Sequence, residues 1–136
     1  MVVATETVII VRLQMDGIHC WKDAAEKMPS MAFLANPHRH MFHISVEKLV
    51  KHDDRDVEFI KFKRDIIAYL RRQFGDDNGV LQLGSMSCEM LAKQLLGRFD
   101  LEMAQVEEDG ENGARIMRRE ARWHPKDVEI SNEEEK

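Results

Sequence analysis

Three of the six histidines in this chain fall where backbone geometry can gather them. The run His38-Arg39-His40-Met41-Phe42-His43 reads as a strand. Side chains alternate between the faces of an extended chain, so His38 and His40 project together and His43 projects the other way. A separate apolar run, Val8-Ile9-Ile10-Val11-Arg12-Leu13, leads towards His19. If the two segments pair, three imidazoles converge. Three neutral imidazoles with an open fourth position suit zinc, which polarises a hydroxyl or carbonyl or lowers the pKa of a bound water. His19, His38 and His40 are therefore the expected metal ligands, and zinc the expected cofactor. The plainer alternative makes all three ordinary, partly buried polar residues. His43, on the opposite face, is expected to serve packing or a subunit contact.

Such ligands need a rigid frame. At 136 residues, 43% hydrophobic and 33% charged, the chain has enough apolar material for one domain with its own core. That domain is expected to span residues 1–125, with an acidic, solvated tail over 126–136 ending Glu133-Glu134-Glu135-Lys136. No stretch approaches the roughly 20 apolar residues of a membrane span, and no basic segment precedes an apolar one near Met1. A cytoplasmic location follows as an expectation, with Cys20 and Cys88 as free thiols. A net charge of -5 without an extended basic patch argues against nucleic acid as a partner.

The elements can be placed coarsely. Residues 6–16 and about 38–50 read as strands separated by a looser segment with Pro29 and Pro37. Phe59, Phe62, Ile66 and Leu70, with Tyr69, recur at helical spacing, which predicts a helix to about Phe74 with these residues in the core. The Gly75-Asp76-Asp77-Asn78-Gly79 stretch breaks it. A second helix starts near Ser85 or Ser87 and buries Leu91, Leu95 and Phe99. Two strands, 101–108 and 114–122, flank a turn dense in glycine and short polar residues. The order ββααββ predicts an α+β domain: a four-stranded antiparallel sheet with two helices on one face and the other face free for oligomerisation.

This order, together with four short stretches, resembles the 6-pyruvoyl-tetrahydropterin synthase and 6-carboxytetrahydropterin synthase family, whose tunnelling fold (T-fold) closes protomers into a β-barrel. The resemblance covers roughly residues 6–118. His19 stands where the family closes its first strand with a histidine, and His38 and His40 stand in its His-Gly-His motif. Ser87-Cys88-Glu89-Met90-Leu91-Ala92 is similar to the family's Thr-Ala-Glu-Asn-Leu-Ala helix start. Val106-Glu107-Glu108-Asp109 is similar to its Val-x-Glu-Thr strand, and Phe59-Ile60-Lys61-Phe62 more weakly to its Val-Ile-Asp-Phe. The resemblance implies zinc on the three histidines, a homo-oligomer with a hexamer favoured, and a flat heterocyclic ligand held at a subunit interface.

It also implies a carboxylate that accepts two parallel N–H bonds from a pterin or purine. The Val-x-Glu spacing selects Glu108, with Glu107 as the alternative that strand alternation alone leaves open. Ser87 is a second ligand-binding candidate, equally explained as a helix cap, and Glu89 suits the first turn of a helix with or without a ligand. Trp21 and Trp123 are of a kind to stack on an aromatic ligand or to pack in a core.

Two departures bear on chemistry. Where the synthases carry a catalytic cysteine, this chain has Ala32 and Phe33. Their proton-relaying Asp-His pair also has no counterpart, because no histidine occurs from Asp53 to Trp123. Neither alanine nor phenylalanine can move a proton. The expectation is therefore a protein that binds a purine-, pterin- or nucleotide-derived small molecule for storage, sequestration or sensing. The alternatives are a divergent zinc-dependent pterin- or deazapurine-pathway lyase or isomerase, with Cys20, Asp76, Asp77 or a neighbouring subunit's histidine moving the proton, and a structural oligomer without ligand.

Overall fold

The computed structural model describes residues 2–119, so Trp123, the end of the last expected strand and the expected acidic tail lie outside the described residues. Two long strands, β1 (Thr7–His19) and β2 (His38–Val50), run antiparallel in continuous register from Thr7 opposite Val50 to His19 opposite His38. Along β1, Val11, Leu13, Met15, Gly17 and His19 are buried while Ile10, Arg12 and Gln14 are exposed, the period-two pattern of a sheet with one covered face. That alternation puts His19 on the covered face. The strand reaches three residues beyond the expected end at Asp16, and those residues carry the histidine into register with His38.

The segment between β1 and β2 is ordered as a four-residue helix, α1 (Ala24–Lys27), and a 3-10 helix over Pro29–Ala35. A hydrogen bond from Trp21 N–H to the Leu34 carbonyl, 2.7 Å, ties its two ends together. Helix α2 (Phe59–Phe74) begins on Glu58, whose carboxylate accepts the N–H groups of Ile60 and Lys61. It buries Phe62, Ile66, Tyr69 and Leu70. Phe59, expected in the core, stands at the first helical position and remains 55% exposed.

The sheet departs from expectation. After α2 the chain forms a short strand, β3 (Leu81–Gly84), parallel to the end of β1, so the sheet has five strands in the order β3-β1-β2-β4-β5 and is mixed rather than four-stranded and antiparallel. Leu81 and Leu83 face inward around exposed Gln82. Four residues between two glycine-bearing turns are too few for that alternation to stand out beside the longer patterns. Helix α3 (Cys88–Phe99) follows, then β4 (Met103–Glu108) and β5 (Asn112–Met117), antiparallel to β2 and to each other respectively. Leu91, Ala92 and Leu95 of α3 join the α2 residues in one apolar cluster with Val11, Leu13, Phe42, Ile44, Ala104 and Val106 of the sheet. Both long helices therefore cover the same face, and the architecture is α+β. Among the described residues no helix is long and apolar enough to cross a membrane.

Candidate metal centre

The antiparallel register sets His19 beside His38 at the shared end of β1 and β2. His40 is two residues further on the same face, and Glu108, the last residue of β4, pairs with Phe42. Four ligand atoms, one each from His19, His38, His40 and Glu108, lie within 4.8 Å of one another. The three ring centroids are 4.7 Å (His19–His38), 5.1 Å (His38–His40) and 5.8 Å (His19–His40) apart. Phe42 packs below, its ring edge-to-face with His19 and His40 at 5.1 and 6.0 Å. The sheet thus brings together all three sequence-predicted ligands and adds a carboxylate.

Hydrogen bonding fixes what these rings present. His19 Nδ1 donates to the Met86 carbonyl at 2.8 Å, His38 Nδ1 to the Asn36 carbonyl at 2.9 Å, and His40 Nδ1 to Asp109 Oδ2 at 2.7 Å. Carbonyl and carboxylate oxygens only accept, so each Nδ1 carries a proton and, in the neutral ring, each Nε2 carries a lone pair. Anchoring the far nitrogen in this way orients a metal-binding imidazole and makes it more basic. The consequence is sharpest at His19, which is 8% exposed. Its Nε2 is fully enclosed and makes no hydrogen bond, although Glu108 Oε2 is 2.8 Å away. Glu108 Oε1 is likewise 3.4 Å from His40 Nε2. Lone pairs facing lone pairs at these distances call for a cation among them, either a proton on the imidazole or a metal ion. The group could hold a metal ion through three nitrogens and one oxygen, a donor set that zinc accepts.

A cavity of about 470 Å³ adjoins the cluster. His19, His38 and Glu108 form part of its wall, with Cys20 and Trp21 beyond the end of β1, Leu34 of the 3-10 helix, and Ser87, Cys88 and Glu89 at the start of α3. Of the two adjacent carboxylates, Glu108 faces this cavity, whereas Glu107 pairs with His43 and lines a separate depression of about 440 Å³ with Arg12 and Gln14. Ser87 caps α3 by accepting the Met90 N–H at 3.1 Å while also lining the cavity. Trp21 lines it as well. Asp76 lies outside it: its carboxylate accepts from the Asn78 and Val80 amides and from Gln82. Neither Asp76 nor Asp77 is part of the cavity wall.

The two cysteines differ in position. Cys20 follows the last residue of β1 and is half-buried at the cavity wall, its amide bonded to the Gly84 carbonyl at 2.9 Å. Cys88 is buried, and its thiol lies 3.9 Å from Glu108 Oε2. Burial first, then the negative charges of Glu108 and Glu89, push the Cys88 thiol from its usual 9.0 up to about 12. The thiolate is the nucleophile, so Cys88 is inert at neutral pH. Because the folded chain holds this proton more tightly than the unfolded one, the associated stability is complete below pH 9 and declines as the pH rises towards 12. Iodoacetamide applied to metal-free protein at pH 8 is expected to leave Cys88 unmodified until the chain is unfolded in urea. Peptide mass mapping that finds native Cys88 alkylated as fast as the unfolded thiol would contradict this.

Sequence reasoning missed Asp109, the Met86 and Asn36 carbonyls, Leu34 and Cys88 as parts of the site. The carbonyls have no side-chain signal. Asp109 did have one, since it stands next to Glu108 in a strand already aligned with the histidine motif. Compared with known proteins, the chain matches no family model, and no curated sequence is significantly similar to it.

Proposed function

We propose that this chain is a pterin-synthase-like protein that holds zinc on His19, His38, His40 and Glu108 and binds a flat, purine-, pterin- or nucleotide-derived molecule in the adjoining cavity. The observation that carries this reading is the cavity itself: its wall includes three members of the ligand cluster beside Trp21, an indole of the kind that stacks on flat rings. Concave sites of about 300–1,000 Å³ with a few convergent polar groups are the usual setting for small-molecule binding. Storage, sequestration or sensing fits better than synthase chemistry, because Ala32 and Phe33 replace the family's thiol, no histidine follows between Asp53 and Trp123, and Cys88 is buried. Glu108 has two candidate uses here, metal ligand and ring anchor, and its 2.8 Å approach to His19 favours the first.

In this reading the protein works as a homo-oligomer, the resemblance favouring a hexamer. β1 is paired with β3 only at Gly17–His19, so among the described residues its outer edge is open from Thr7 to Asp16, and the outer edge of β5 is open too. Open edges of this kind pair with further strands. Four of the five strands, β1, β2, β4 and β5, are antiparallel neighbours, and parallel β3 at one edge sets the sheet apart from the four-stranded antiparallel one expected.

A lyase reading rests on one observation, the half-buried thiol of Cys20 in the cavity wall beside His19. The two part on turnover. Zinc-loaded protein incubated with dihydroneopterin triphosphate, guanosine nucleotides and free pterin is expected to bind one of them saturably and return it unchanged. Steady product formation abolished by Cys20→Ser establishes the lyase instead. Zinc-loaded protein that binds none of these compounds overturns the small-molecule reading in favour of a structural oligomer.

A further inference from the structure

We infer that Asp109 is a positioning residue of the metal centre, orienting His40 through a carboxylate–imidazole–metal relay. The inference rests on the reading that the cluster holds a metal. His19 and His38 are steadied by backbone carbonyls, whereas His40 alone donates its Nδ1 proton to a side chain, Asp109 Oδ2, at 2.7 Å. The second oxygen of that carboxylate, Oδ1, accepts the Met41 amide at 3.0 Å, and the Asp109 amide donates to the Met41 carbonyl at 2.7 Å. One residue therefore clamps both the backbone beside His40 and the ring of His40.

Strand alternation would send Asp109 to the face opposite Glu108. It reaches the ring because β4 ends at Glu108 and Asp109 adopts the left-handed region, φ 58°. Asp and Asn tolerate that backbone better than other residues with a side chain. An aspartate carboxylate is ionised at neutral pH, so it meets the imidazole as an anion. With Glu108 it supplies two negative charges around the three neutral imidazoles, the number that balances one divalent cation.

The test is zinc binding by chelator competition on the whole chain and on Asp109→Asn, which keeps the side-chain shape and tolerates the left-handed backbone but removes the charge and one of the two acceptor oxygens. Asp109→Gly is run beside it, since glycine adopts that φ freely should the asparagine variant misfold. Second-sphere partners of this kind are worth about 10- to 100-fold in metal affinity, and that is the loss expected for both variants. In the zinc-loaded asparagine variant the imidazole N–H proton resonance of His40 moves upfield. Those of His19 and His38, bonded to carbonyls, stay in place, a pattern that general loosening would not give. Wild-type affinity within about threefold in both variants, with an unmoved His40 resonance, overturns the role of Asp109 while leaving the metal centre standing. Failure of the wild-type chain to bind zinc at all removes the centre, and the role with it.

Discussion

Replacing His38 and His40 together by alanine is expected to take the metal content of the purified protein from about one ion per chain to nearly none. Structural zinc sites with four protein ligands bind with roughly 10–16 kcal/mol, or about 2.5–4 kcal/mol per ligand if shared evenly. Two ligands then account for about 5–8 kcal/mol, which at 1.4 kcal/mol per factor of ten weakens affinity by more than about 10³-fold. Both side chains are only half-buried at the end of β2, so their removal leaves the apolar cluster of Phe42, Ile44 and Val46 intact. Elemental analysis measures the effect directly. Thermal unfolding measures it again: excess zinc at 1,000 times its dissociation constant stabilises a binding-competent chain by about 4 kcal/mol, on the order of 10 °C, and leaves the double variant unmoved. Equal metal content in the two proteins, or equal zinc-induced shifts, would dismiss the cluster as a metal site.

The parts of this centre that could be read from residues alone are those governed by strand periodicity. His38 and His40 share a face because they are two apart, and His19 joins them because β1 and β2 pair without a bulge from Thr7 to His19. A one-residue slip in that register would have sent His19 to the open face. Glu108 is legible as a cavity residue, but its place beside the imidazoles is not, because the distance from β4 to the end of β1 depends on how β2 lies between them. Two features escaped for different reasons. β3 is four residues long and gains its place from a parallel pairing that α2 makes possible, a tertiary effect without local periodicity. Asp109 escaped because a left-handed residue ends the alternation on which the face assignment depended. The expected core position of Phe59 failed at a boundary, since the first turn of α2 precedes the point where the helix meets the sheet; Phe62, one turn on, is 8% exposed.

The ring that supports the centre leads to the largest expected loss of stability. Phe42 is 1% exposed, stands under His19 and His40, and occupies space left open by Gly17 on β1. A Cβ at Gly17 would sit 2.7 Å from Phe42 Cδ2 and 2.8 Å from Cε2, closer than packed carbons come. The glycine and the phenylalanine are thus two halves of one fit. Phe42→Ala is expected to destabilise the metal-free chain by about 3–5 kcal/mol, the cost of emptying an aromatic site in a core. Gly17→Ala alone is expected to cost about 1–3 kcal/mol by overpacking. The double variant should cost less than the two together, because the new methyl enters the space that the ring has vacated. A coupling of about 1 kcal/mol or more in this direction is within the range for residues in contact. Urea unfolding of the four proteins at equilibrium yields the cycle. Additivity within about 0.5 kcal/mol would show that Gly17 and Phe42 do not share the space under His19. Both single variants are also expected to bind zinc less tightly than the wild-type chain, since each disturbs the surface against which the His19 and His40 rings are seated.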